Sequence, residues 1–229
     1  MKLLASIVVI AAVALASQTA GAVAIGQIDT FEDGTTGGWF AGGGPLGGVP
    51  PIPPQNVPDG GPGGAGDAFL QITAQGGDGA GSKLSANNLT QWAGDYLTAG
   101  VTGIAMDLRN LGTSDLTIRL LFEDPIPGPP VNIAVTDFGA LLPAGGEWTR
   151  VVFPVSAADL TVLMGDPTVL LSQVTFVRII HSPNPDFAVS VAGVVGVDNI
   201  SAIPEPSSLA LIASAALAGL MVSRRRRSR

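Results

Sequence analysis

Few residues in this chain could do chemistry, and their spacing does not build a catalytic centre. His181 is the only histidine, at the end of an apolar run and beside Ser182-Pro183. A lone histidine cannot supply a multi-histidine zinc site, and the absence of cysteine removes thiolate ligands and disulfides together. No G-x-S-x-G nucleophile elbow occurs. Gly76 to Lys83 is glycine-rich, but Ser82 precedes Lys83, so the G-K-[ST] order of a phosphate loop is missing. Glu123, Asp124 and Glu147 have the chemistry of a glycosidase acid/base pair, yet an acidic chain offers many such pairs and the spacing selects none.

Binding chemistry has better candidates. Trp39, Trp92, Trp148 and Tyr96 could stack on sugar rings, although aromatic side chains more often fill a core. Trp92 and Tyr96 lie in a segment with Gly and Asp and form the best candidate for an exposed ligand-binding pair. Arg109, Arg119 and Arg178 fall on predicted strands and could hydrogen-bond sugar hydroxyls or carboxylates. The plain alternative is solvated outward positions or ion pairs with nearby acids.

The two ends decide where such residues would act. Met1-Lys2 precedes an apolar run from Leu3 to Ala16 broken only by Ser6, and small residues follow to Ala24. This is a secretory signal: positive n-region, short h-region, small-residue cleavage site. Ala22-Val23-Ala24 fits cleavage before Ile25, which makes residues 1–24 the signal peptide. Ala20-Gly21-Ala22 is an equally legal site two residues earlier. At the other end, Pro204-Glu205-Pro206 is followed by an apolar run to Val222 and then by Arg224, Arg225, Arg226, Arg227 and Arg229. A helix over 207–222 would be about 24 Å long, against ~30 Å for a hydrocarbon core. It is a marginal, Ala-rich transmembrane span suited to a temporary anchor, and the arginines hold its end in the cytoplasm.

Pro204-Glu205-Pro206, the hydrophobic helix and the arginine cluster resemble the PEP-CTERM sorting signal of Gram-negative bacteria, over residues 204–229. The resemblance implies recognition and cleavage near the motif by an exosortase, a transient stay in the inner membrane, and a host that makes exopolysaccharide and biofilm. It also implies passage through the Sec export machinery. The alternative is a simple tail anchor with a basic stop.

Between the ends lie residues 25–203, with five Lys/Arg against seventeen Asp/Glu, a net charge of about −12. Such a charge excludes nucleic acid and anionic lipid as partners and favours divalent cations. The length suits one domain with one core. Period-two patterns predict strands at Ile104–Arg109 and Leu116–Glu123, with further strands at Phe69–Ala74, Val131–Thr136, Thr149–Val155, Val174–Ser182 and Val194–Ile200. Gly26–Phe31 is a candidate first strand. Asn110 to Asp115 reads as a hairpin-type connection, and Ser156–Leu163 as a helix of about two turns. Residues 41–66 hold ten glycines and seven prolines and read as a long, mobile loop. The fold class is all-β: an antiparallel β-sandwich of jelly-roll type with a terminal signal helix and a C-terminal transmembrane helix.

Asp29-Thr30-Phe31-Glu32-Asp33-Gly34 with Trp39 resembles the opening strand of galactose-binding-like jelly rolls such as carbohydrate-binding modules. Val197-Asp198-Asn199-Ile200 resembles their closing strand. The segment from Trp92 to Asp107 is similar to laminin B-type domains, which share the architecture. The resemblance implies that first and last strands are neighbours and that a structural calcium joins them, with Glu32 and Asp198 at the motif positions. Asp29 or Asp33 could assist, or these acids could be ordinary turn and edge residues. The expectation is an exported, non-catalytic protein of the cell surface or extracellular matrix, associated with exopolysaccharide. A purely structural matrix protein and a secreted glycan-active enzyme stay open.

Overall fold

The computed structural model describes residues 22–42, 48–125 and 127–204. The signal segment before Ala22, the 207–222 helix, Glu205, Pro206 and the five arginines of the tail lie outside the described residues. Among the described residues no helix is long and apolar enough to cross a membrane.

The described residues form twelve strands and two short helices: β1 (Ile28–Asp29), β2 (Gln55–Val57), β3 (Phe69–Gln75), β4 (Ser85–Asn88), α1 (Tyr96–Ala99), β5 (Gly103–Asn110), β6 (Leu116–Asp124), β7 (Asn132–Thr136), β8 (Ala140–Leu142), β9 (Thr149–Pro154), β10 (Leu160–Met164), α2 (Pro167–Ser172), β11 (Phe176–His181) and β12 (Ala192–Ile203). They build two antiparallel sheets. The first runs β2-β3-β12-β5-β9, with β1 also on β12. The second runs β10-β7-β6-β11-β4, with β8 also on β6. All pairings within both sheets are antiparallel, which identifies a β-sandwich.

Alternation fills the space between the sheets. Ile104, Met106 and Leu108 of β5 face Leu116, Ile118, Leu120 and Phe122 of β6 in one core, with Val195 and Val197 of β12. The opposite face of the second sheet carries a smaller apolar cluster of Leu121, Ile133, Val135 and Ile180, covered by Leu163 and Ala188. That explains why β6 and β7 read as nearly continuous apolar runs: they are buried on both faces.

Three expectations change. The 110–115 connection is not a hairpin, because β5 and β6 belong to different sheets. Asn110 holds the crossing: its Nδ2 donates to the Ser114 and Leu142 carbonyls at 2.8 and 2.9 Å, and its Oδ1 accepts from the Gly112 N–H at 3.0 Å. Residues 156–163 are a single 3-10 turn, Ala157–Asp159, capped by Ser156, and then β10. The β-branched Thr161 and Val162 favour the strand, and pairing with β7 outweighs the local helical pattern. The 41–66 stretch is tied down where it is described. Gln55–Val57 pairs with β3, and Val49 exchanges backbone hydrogen bonds with Asp78 and Gly81. Proline's lost N–H does not exclude an edge strand, and β2 is one.

Asn110 is 1% exposed, so its removal strands two carbonyls and an N–H. Asn110→Ala should lower the unfolding free energy by about 2–4 kcal/mol in a denaturant titration. A loss below about 0.5 kcal/mol would show that the crossing is held by other contacts.

Candidate functional site

β12 changes partner halfway along. One edge pairs with β5 from Val195 to Ile203, with an irregularity between Asp198 and Ser201. The other edge pairs with β3 from Ala192 to Val197, then with β1 at Ile200 and Ser201. Asp198 and Asn199 sit at this junction. Asn199 and, on the chain leaving β1, Phe31 adopt left-handed backbone with φ of 50° and 60°. For a bulky phenylalanine such a conformation is strained, and strain concentrates where the surrounding structure fixes a site.

The junction is acidic. Asp198 is 1% exposed, and burial pushes its carboxyl up to about 7, helped by the neighbouring Asp67, Asp107 and Glu32 charges. Asp107 is neutralised by Arg150 at 3.3 Å, whose guanidinium also donates to the Asn199 carbonyl and Ser201 Oγ. Asp198 takes hydrogen bonds from Asn199, Glu32 Oε1 takes the Ala68 N–H at 3.0 Å, and Asp67 takes the Gly63 N–H. Glu32 and Asp198 are thus brought to one place. Their oxygens suit a hard cation. Among the described residues no three His, Cys, Asp or Glu side chains are disposed to hold a metal, so backbone carbonyls and water would complete any shell.

Trp92 and Tyr96 offer no ligand surface. Both are 0% exposed. The indole N–H groups of Trp92 and Trp39 both donate to Asp29 Oδ2, at 2.8 and 2.9 Å, and Gln91 Nε2 adds a third bond. Burial raises the Asp29 carboxyl, and these donors oppose the rise. Tyr96 donates to the Trp92 carbonyl and meets Phe122 edge-on, and burial pushes its phenol up. Asp29 is therefore a structural anchor. Asp33 lies apart as a turn residue bonded to Thr35, which holds its carboxyl below the usual range. Trp148 is half-buried and packs edge-on against Phe69.

The arginines divide in the same way. Arg119 is buried and donates to the carbonyls of Ser182, Thr136, Asp137 and Pro183, stapling β6 to the ends of β7 and β11. Arg109 donates to the Gly146 carbonyl. Arg178 pairs with Glu123 at 3.0 Å and lies over the Phe176 ring. Burial raises the Glu123 carboxyl, and Arg178 pulls it back. Glu147 lies in the connection before β9, on a separate apolar groove with Phe138, Leu141 and Val152, so Glu123 has an arginine rather than a second carboxylate as its partner.

Arg178 opens instead onto a cleft of about 340 Å³ at the margin where β3 and β4 approach. Lys83, Ser85, Thr73 and Phe187 share its lining. Lys83 is exposed and makes no ion pair among the described residues, and Phe187 is 47% exposed. Arg178 Nε is buried without a hydrogen-bond partner. Phe187 escaped sequence reasoning. Its signal was an aromatic residue in the Pro183-Asn184-Pro185-Asp186 turn, where a core residue is unexpected.

Two independent likenesses bear on this arrangement. Residues 202–227 match the PEP-CTERM protein-sorting motif. The motif begins inside β12, so the sorting tail leaves directly from the closing strand. It implies an exported protein, transiently anchored at the membrane and processed by an exosortase. In structure, the chain is similar to a family 11 carbohydrate-binding module from Clostridium thermocellum solved with a β-1,3-1,4-mixed-linked tetrasaccharide: 17% identity and TM-score 0.52, covering 79% of this chain and 97% of that one. A family 11 module of a cellulosomal cellulase of the same organism gives 12% identity and TM-score 0.51, covering 80% and 96%. An exo-β-agarase gives 12% and 0.54, covering 80% of this chain and 25% of the agarase. At these identities the likeness establishes the jelly-roll fold. No curated protein is significantly similar in sequence.

His181 is a core residue. Its Nδ1 accepts the Thr117 N–H at 2.9 Å, and burial pushes its pKa down. The unfolded chain therefore takes up a proton near pH 6.5 that the folded chain refuses, and this contribution to stability falls as pH drops below that value. The stability advantage of the wild type over His181→Gln should shrink between pH 7.5 and 5, measured by thermal melts. A constant difference would mean that His181 titrates alike in the folded and unfolded chain.

Proposed function

We propose that this is a non-catalytic, carbohydrate-associated protein of the cell surface or extracellular matrix, delivered by export and exosortase processing. The cleft carries the reading: an exposed ammonium, a buried guanidinium Nε without a partner and a half-exposed ring converge in a space that admits one or two sugar units. Phe187 supplies a ring face, while Lys83, Arg178 and Ser85 supply hydrogen bonds to hydroxyl or acid oxygens. The titratable groups support binding over turnover. Glu123 is committed to Arg178, Asp124 meets Gln173 and His181 is bonded to Thr117. The jelly-roll modules that share the fold include one solved with a bound tetrasaccharide.

Calcium belongs to the same reading. Glu32 and Asp198 would hold it, joining the chain after β1 to β12 and relieving the repulsion among the junction acids. Its contribution would be structural, since nothing at the junction opens onto the cleft lining.

Two measurements test the proposal. In affinity gels loaded with the host exopolysaccharide, the exported protein should be retarded, and Phe187→Ala or Lys83→Ala should each weaken binding about 5–10-fold, which is ~1–1.4 kcal/mol. Retardation unchanged in both variants would move binding away from the cleft, and no retardation of the wild type would leave a structural matrix protein. Calcium at 100 times its Kd should raise the Tm by about 5–10 °C, and Asp198→Asn should abolish the rise. A Tm indifferent to calcium and to chelator would remove the cation from the junction.

A further inference from the structure

The sequence allows cleavage after Ala22 or after Ala24, and only one of these leaves the folded body whole. Val23 is 4% exposed and belongs to the main core. Its N–H donates to the Ala93 carbonyl at 2.8 Å. The strand of chain carrying it lies directly on Gly94, which has φ of 131°. A Cβ there would come within 3.1 Å of Val23 N and 3.3 Å of Ala22 Cα. Gly94 itself donates to the Val174 carbonyl. Val23 therefore closes the end of the sandwich over the 92–96 connection that carries Trp92 and Tyr96. The next residues behave differently: Ile25 is 50% exposed, and the chain turns at Gly26 toward β1.

We infer that the signal peptide is removed after Ala22, at the Ala20-Gly21-Ala22 site, and that Val23 is the first residue of the mature protein. The inference rests on the export reading above. Cleavage at this peptide bond adds water across Ala22–Val23, leaving a carboxylate on the leader and an α-amino group on Val23. That group keeps its donor toward the Ala93 carbonyl and gains charge, which strengthens the hydrogen bond. Cleavage after Ala24 would instead discard the buried valine, leave a void against the core and remove the donor that satisfies Ala93. Nothing in the small-residue pattern separates the two sites, since Ala occupies both critical positions in each. The distinction lies in which residues the folded body buries.

N-terminal sequencing and intact mass of the exported protein from its native host test this directly. A chain beginning Val-Ala-Ile supports the inference. A chain beginning Ile-Gly-Gln overturns it while leaving export intact. A chain beginning at Met1 overturns both. In Ala20→Leu the upstream site loses its small residue, and cleavage is diverted before Ile25. That product, isolated from the same host, should melt about 3–10 °C below the wild type. An equal Tm would show that Val23 contributes nothing to the mature fold and would overturn the physical basis of the inference.

Discussion

Everything in this domain is arranged around one long strand that must satisfy three partners. β12 runs twelve residues from Ala192 to Ile203, with β5 on one side and β3, then β1, on the other. A strand buried between partners cannot leave backbone groups unpaired, so the change from β3 to β1 forces a local break in regularity. That break is the Asp198–Asn199 junction. Close packing adds a second demand on the same strand. A Cβ on Gly196 would lie 2.7 Å from the Trp148 ring and 3.2 Å from Phe69, so only glycine lets that edge-on aromatic pair pack against the strand. The sorting motif overlaps the last two residues of β12, Ala202 and Ile203. Processing beyond Ile203 can therefore remove the tail without drawing a partner strand out of the sheet.

Buried polarity fixes the register of the remaining parts. Asp29 takes two indole N–H groups and an amide, so β1, the turn before Trp39 and the 88–96 connection are joined through one carboxylate. Arg119 has no carboxylate in contact and spends its donors on four carbonyls. Burial pushes its pKa down, yet a guanidinium remains charged, so these carbonyl dipoles replace its hydration. Such groups stabilise only when complete, which makes them determinants of a single arrangement of the sandwich edges. In a body without disulfides they accompany the apolar core as the means of fixing loops.

Much of the strand pattern was legible because it depends on alternation alone. β5 and β6 were readable within one or two residues, and β3, β9, β11 and β12 were recognisable from their apolar runs. β2, β4, β8 and β10 were not. Gln55–Val57 and Ser85–Asn88 have little apolar content, and their strand character comes from the neighbours they pair with. At the site, the first and last strands pair as the jelly-roll resemblance implied, and the Glu32 charge helps to raise the Asp198 carboxyl. The aromatic pair failed as ligand residues: Trp92 and Tyr96 sit in a polar-looking segment, but Asp29 gives the indole a half-buried acceptor and the core takes the rings.

By itself the sequence determined the sorting tail, the acidic charge and an all-β body, because each of these follows from composition, short motifs or period-two order read locally along the chain. Tertiary structure alone decided that Asn110–Asp115 crosses between sheets, that Arg119 is an internal staple while Arg178 reaches a cleft, and that Lys83 and Phe187 share that cleft across more than a hundred residues. It also decided that Val23 belongs to the core. The reason is physical: alternation tells which face of a strand is apolar, but not which strand lies opposite. Burial, pairing and the environment of a charge are all properties of that second, non-local choice.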